Sequence, residues 1–324
     1  MMNRRLLLLG AAAAGALARP ALAQGSFPAR PLRLVVAFPA GGPTDVIARV
    51  LAEPMGRTLG QPIVVENRGG ANGNIAAEHV AKSDADGYTM LYNTSSIAIS
   101  QALYRRLGYR LADLAPVSLI AAAPSLIVVN PEVPARDPAG FIAWARTNSG
   151  KISYGSGGVG NASHLQIFMI LRHIGAEATH VPYRGTAAAL TDVAAGNVQF
   201  MADALNTALP LAREGRVRAI AVTSAARSAQ LPEVPTLGES GLMPPDFETG
   251  IWQGIMVPAR TPAPIVAQLN AAVNAALRTE EVKARLAAMG AYPTGGSPAD
   301  YAAYLAKEVA LWDRVVKESG ATAD

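Results

Sequence analysis

An apolar run, Leu34 to Phe38, empties into Pro39-Ala40-Gly41-Gly42-Pro43. In the stretch that follows, Val46, Ile47, Val50, Leu51, Met55 and Leu59 fall on one helical face. Buried strand, Pro/Gly turn and helix, in that order, constrain this chain more than any other feature. Pro43 sits where a helix begins, because the N–H it lacks is not needed there. Such a turn leaves backbone N–H groups free and aims the positive end of a helix dipole at the space above the strand. That arrangement binds an anion without a basic side chain. The same residues also suit an ordinary strand-to-helix connection, in which the glycines only turn the chain.

The unit recurs. Ile63 to Glu66 reads as a strand, followed by the loop Asn67 to Gly73 and a helix over Ile75 to Lys82. Thr89 to Asn93 is the next strand, opening into Thr94-Ser95-Ser96 and a helix through Leu103. Strands and helices alternating at this spacing predict a parallel sheet with helices on its faces. Ligands of such sheets bind beyond the carboxyl ends of the strands, where Phe38 to Asp45, Asn67 to Gly73 and Thr94 to Ser96 all lie.

Pro124 interrupts the apolar run Val117 to Val129, which predicts two strands, Val117 to Ala121 and Ser125 to Val129, joined at a bend that crosses into a second domain. There the rhythm continues. Asp137-Pro138 opens a helix, Ile152 to Tyr154 is a strand, and a helix from about Ala162 carries Leu165, Phe168, Met169 and Arg172. Ala178 to Val181 is a strand, Thr186 caps a helix bearing Leu190 and Val193, and Val198 to Ala202 is a strand ending at Asp203. After the strand Arg218 to Val222, Gly250 to Val257 leads back to the first domain, and the tail is helical, with Ile265, Leu269, Val273 and Leu277, then Tyr301, Leu305, Val309, Trp312 and Val316, as buried stripes.

The first 23 residues predict an address. Arg4-Arg5, the apolar run Leu6 to Ala18 and Ala21-Leu22-Ala23 have the form of a secretory signal peptide, with cleavage after Ala23 and a mature start at Gln24. The run is shorter than the ~20 residues of a membrane span. The chain has no Cys, which excludes disulfides and a lipid-modified cysteine. The formal charge of +4 falls to +1 without the leader, and no Lys/Arg cluster points to nucleic acid.

Chemistry-bearing patterns are sparse. Gly155-x-Gly157-x-x-Gly160 has the spacing of a dinucleotide loop, but only about three strand residues precede it, and Glu177 precedes a strand instead of ending one. A second anion-binding helix start is the better reading. There is no G-x-S-x-G, and His79, His164, His173 and His180 form no H-E-x-x-H, so neither a catalytic residue nor a metal site is predicted. Asp203 reads either as an acceptor for a ligand amine or hydroxyl or as a helix N-cap, and Asp45 as a first-turn acid paired with Arg49.

Phe38-Pro39-Ala40-Gly41-Gly42-Pro43-Thr44-Asp45 with Ala48-Arg49, then Glu66-Asn67-Arg68, Asp86-Gly87-Tyr88-Thr89, Tyr154-Gly155-Ser156-Gly157 with His164-Leu165, Val181-Pro182-Tyr183-Arg184-Gly185 and Trp252-Gln253-Gly254 together resemble the substrate-binding proteins of tripartite tricarboxylate transporters, the Bug family. The resemblance covers roughly Pro31 to the C-terminus; Ala37 stands where the family commonly has Pro, and Arg260 where it commonly has Gly. It implies an α/β, type II periplasmic-binding-protein fold, with two α/β domains, a two-strand hinge and one ligand in the cleft. The expected domains are 24–122 with 249–324, and 123–248. It further implies a carboxylate held by Phe38, Ala40, Gly41, Gly42, Thr44 and Asp45 from one side and by Gly155, Ser156, Gly157, Asn161, Ala162 and Ser163 from the other. Ser95, Ser96, Gly185, Thr186 and Asp203 would line the far part. The implied protein is a periplasmic, monomeric receptor without a cofactor that delivers a small organic carboxylate to membrane transporter subunits. A sensor docking on a signalling partner and, less favoured for want of a nucleophile–base pair, a periplasmic enzyme are the alternatives.

Overall fold

The structure, a computed structural model, describes residues 27–245 and 247–323; the expected leader, its cleavage site and the Gln24 start lie outside the described residues. β1 (Leu32–Val36) is buried at every position except Arg33. It has parallel neighbours on both sides, β2 (Ile63–Asn67) and β3 (Thr89–Thr94). A strand so placed is covered on both faces, which is why its sequence is a continuous apolar run. α1 (Pro43–Leu59) leaves β1 through the Pro/Gly turn and stops at Gly60 in the left-handed conformation. It buries Ile47, Ala48, Leu51 and Met55 in a core shared with Leu269 and Val273 of α8 (Ala263–Leu277). α2 (Asn74–Ala81) and α3 (Ser96–Leu103) follow β2 and β3 as expected.

The two strands predicted on either side of Pro124 are one strand, β4 (Leu114–Val129). As far as Pro124 it pairs with β9 (Gly250–Pro258), and Pro124 lies opposite Gly250 in the last pair. From Ser125 its partners are β7 (Phe200–Ala204) and β8 (Arg218–Val222). The missing N–H of Pro124 therefore falls at the changeover between partners, where its loss costs the ladder least. Irregularity appears earlier instead, as register shifts between Pro116 and Ser118 and between Leu119 and Ala121.

The strand order is β2-β1-β3-β9-β4-β7-β5-β6, with β5 (Ser153–Ser156) and β6 (Thr179–Pro182) at the far end, and with β8 and β10 (Tyr292–Pro293) also paired to β4. One half of this curled sheet carries α1, α2, α3, α8 and α9 (Glu280–Ala288). The other carries α4 (Pro138–Thr147), α5 (Ala162–Ile174), α6 (Thr186–Ala195) and α7 (Leu205–Arg213). α10 (Pro298–Ser319) packs on α3 and β4 and reaches α5, where Arg172 Nε lies 3.0 Å from Glu318 Oε2.

The helix expected from about Ala162 is α5, which buries Leu165 and Met169 and leaves Arg172 exposed. Two local expectations change. Thr186 is the first residue of α6 rather than its cap; the N-cap is Gly185, at φ +102°. The sequence reading gives α7, which contains Pro210, no bounds beyond Asp203 as its N-cap, and has no counterpart for the two-residue β10. Among the described residues no helix is long and apolar enough to cross a membrane.

Candidate ligand-binding site

A cavity of about 300 Å³ lies between the two halves of the sheet. Five helices meet it with their first turns: α1 with Thr44 and Ile47, α3 with Ser96 and Ile99, α5 with Ala162, Ser163 and Gln166, α6 with Thr186, and α7 with Asn206 and Thr207. Four of these begin without a side-chain cap, at Gly42, Ser95, Gly185 and Ala204. The orphan N–H groups and dipole ends of those helices thus face one space. Among the described residues no Lys or Arg lines it.

The turn before α1 is held by an acid. Asp45 is buried; its Oδ2 accepts from Gly41 N at 2.9 Å and from Arg49 Nε at 3.0 Å, and its Oδ1 from Asn67 Nδ2 at 2.9 Å. The Arg49 hydrogen bond above all, with those of Gly41 and Asn67, holds its carboxyl down at about 2. Asn67 also donates to Phe38 O and accepts from Arg49. Gly41 stands at φ +82°, a conformation that a residue with a Cβ adopts only under strain.

The turn before α5 is held by neutral groups. Asn161 caps the helix by accepting from Ser163 N at 3.0 Å, and Ser163 Oγ accepts from Gly157 N at 3.0 Å. Gly160 N donates to His164 Nδ1 at 3.1 Å, which fixes that ring as neutral with its proton on Nε2. His164 stacks on His180 with centroids 3.9 Å apart, and Tyr154 stacks on both. Burial first, then the neighbouring His180, pushes His164 down to about 4, and burial lowers His180 as well.

The fold makes one contact that the sequence reading missed: Ser156 Oγ lies 2.6 Å from His180 Nε2. This is not a nucleophile facing a substrate. Ser156 is wholly buried, is absent from the cavity wall, and accepts from Gly158 N at 3.1 Å. Its contacts fix the turn.

Of the expected ligand residues, Phe38, Thr44, Ser95, Ser96, Asn161, Ala162, Ser163, Thr186 and Asp203 come together on the cavity wall. Ala40, Gly41, Gly42, Asp45, Gly155, Ser156, Gly157 and Gly185 do not line it; they build the turns behind it. Asp203 lies on the cavity wall, but it is not the N-cap of α7, which is Ala204. Its Oδ1 accepts from Ala204 N at 2.8 Å and its Oδ2 from Thr207 Oγ1 at 2.7 Å, holding the start of α7, while burial raises its pKa. Sequence reasoning missed Gln166, Asn72, Ser125 and Gln253 on the wall. Helical spacing was the available signal for Gln166, which lies four residues after Ala162 and three after Ser163 on the same face. Among the described residues no cluster of His, Asp or Glu is arranged to hold a metal ion.

The chain and its fold are similar to known proteins. The chain is 36% identical to the protein BugT of Bordetella pertussis over 99% of its own length and 98% of BugT. The structure matches the periplasmic binding protein BugD at a TM-score of 0.75 and 35% identity, covering 92% of this chain and 100% of that one. It matches the Rhodopseudomonas palustris protein Rpa4515, solved with adipate, at a TM-score of 0.78 and 39% identity, covering 91% and 99%. The fold is therefore the two-domain periplasmic-binding-protein fold that the family resemblance implied. The family described as the tripartite tricarboxylate transporter family receptor matches residues 47–321, and this chain belongs to it.

Proposed function

We propose that this chain captures one small organic carboxylate between its two domains and delivers it, in the periplasm and as a monomer, to the membrane subunits of a tripartite tricarboxylate-type transporter. The observation that carries this reading is the convergence of five helix starts on a cavity whose wall, among the described residues, has no cationic side chain. Such a site attracts an anion through dipole ends and N–H groups. A helix end supplies about 0.3–1 kcal/mol at a surface and up to ~2 when partly buried. Hydrogen bonds to a charged acceptor add about 1.5–3 kcal/mol each. Three or four such bonds reach the ~8 kcal/mol of micromolar affinity after ordering costs. In this reading no residue is catalytic, and the site residues are those expected from the sequence, with the turns acting from behind.

The domains of the proposal are 24–122 with 249–324, and 123–248, closing about β4 at Ala121 to Pro124 and β9 at Gly250 to Val257. A thermal-shift screen across small carboxylic acids tests the reading. A true ligand at 100 times its Kd stabilises the fold by roughly 2.7 kcal/mol. A screen in which no carboxylate raises the melting temperature overturns it.

A further inference from the structure

Among the described residues, one buried side chain on the cavity wall has no hydrogen-bond partner within the protein. Gln166, one turn into α5, is 1% exposed, and neither its Oε1 nor its Nε2 has a hydrogen-bond partner. A buried amide with both atoms unpaired is rare in folded proteins. Several other polar groups on this wall are differently placed: Asp203, Thr207, Asn161 and Ser163 all hydrogen-bond to neighbours within the fold.

We propose that Gln166 is the specificity-determining residue of this cavity, and that it pairs through both amide atoms with an uncharged donor–acceptor group of the ligand. The ligand class is then a monocarboxylate whose other end is a primary carboxamide, in preference to the diacid of the same length. The assignment rests on the carboxylate-receptor reading above. Its argument is one of matching. A carboxylate accepts from Nε2 but offers nothing to Oε1, which is left facing a negative charge. A carboxamide satisfies both atoms at once. A second ligand charge also finds no Lys or Arg among the described residues of the wall, and it shares the cavity with the Asp203 carboxyl. A site that leaves a buried polar group unpaired with the wrong ligand discriminates more strongly than one that distinguishes by shape alone.

Three nearly isosteric pairs test this by calorimetry on the full mature chain: succinate against its monoamide, glutarate against its monoamide, and adipate against its monoamide. For at least one length, the monoamide should bind wild type ten-fold or more tightly than the diacid. In Gln166→Leu that ratio should fall to within three-fold of unity, with the ligand-free melting temperature unchanged or raised. If Gln166→Leu does not fold, Gln166→Met, unbranched and of similar length, is held to the same criterion. A diacid that binds wild type as tightly as its monoamide at every length overturns the role of Gln166 and leaves the carboxylate-receptor reading standing. So does a preference that persists in the apolar variant. If no member of either series binds wild type, the assignment of Gln166 falls, while the carboxylate-receptor reading stands or falls by the broader thermal-shift screen.

Discussion

α1 and α10 begin with the same pattern, Pro at the first helical position and Asp at the third, yet their starts are finished differently. At α10, Ser297 Oγ accepts from Asp300 N at 3.1 Å, and Asp300 Oδ2 accepts from Ser297 N at 2.8 Å, a closed capping box facing solvent. At α1 the N-cap is Gly42, which has no hydroxyl to offer, and Asp45 reaches past it to Gly41 N. The acid still holds the turn, but the first-turn N–H groups are left uncapped toward the cavity. At the cavity α3, α6 and α7 also start uncapped, while Asn161 caps α5; away from it, the Asp137 and Thr279 caps of α4 and α9 accept from Gly140 and Val282, and α2 and α8 start uncapped. Capping typically contributes about 1 kcal/mol. At the cavity, the starts that forgo it leave first-turn donors uncapped beside the space a ligand would fill.

The largest expected effect concerns how the two cavity turns respond to acid. The turn before α5 depends on neutral His164, held down to about 4 from an ordinary 6.5. Between those values the unfolded chain binds a proton that the folded chain refuses. The stabilisation is therefore complete above about pH 6.5 and is lost as pH falls toward 4. A shift of that size corresponds to on the order of 3 kcal/mol. The turn before α1 has no such weakness in this window, because Asp45 stays charged down to about 2. Urea denaturation at pH 7 and pH 4.5 should show stability falling steeply in wild type and less in His164→Gln, with His180 leaving a residual slope. Equal slopes would mean that His164 is not what ties the second turn to pH.

Next comes Gly41→Val. A Cβ at Gly41 meets nothing within 4 Å, so the substitution acts through the backbone alone, by forcing a β-branched residue to φ +82° or moving the turn. Strain of about 1–3 kcal/mol at such a position predicts a roughly 10- to 100-fold loss of carboxylate affinity by calorimetry. Affinity equal to wild type would remove the α1 turn from the site.

The smallest effect is the sharpest for the comparison itself. Gly42 has φ −76°, and a Cβ there would lie 3.5 Å from Pro39 O, an ordinary contact, so Gly42→Ser fits and supplies the missing cap. It should stabilise the ligand-free fold by a few tenths of a kcal/mol and weaken carboxylate binding several-fold, as its hydroxyl takes an N–H from the ligand. The mirror change, Ser297→Ala, should cost about 1 kcal/mol of stability and leave affinity unchanged. If Gly42→Ser binds as tightly as wild type, the uncapped start of α1 is not reserved for a ligand.

Much of this was legible because the deciding signals are local. The apolar run of β1, the Pro43 start and the glycine turns each dictate their own backbone, and they placed the strand-to-helix turns correctly. What escaped was set by distant partners. Pro124 looked like a break because its tolerance depends on where β9 ends and β7 begins. Ser156 and His180 are 24 residues apart and meet only because β5 and β6 pair in register, Ser156 opposite Pro182 and Tyr154 opposite His180. Gln166 carries no motif: helical spacing puts it on the face of Ala162 and Ser163, but its burial without a partner shows only in the fold.

The most direct measurement is a crystal structure of the chain with the carboxylate that the thermal-shift screen ranks first. An anion held by helix starts places a carboxylate oxygen about 3 Å from backbone nitrogens in the first turns of α1 and α5, with no Lys or Arg nitrogen in contact. A carboxylate gripped instead by the guanidinium of Arg49 or Arg184, or seated away from both helix starts, would contradict it.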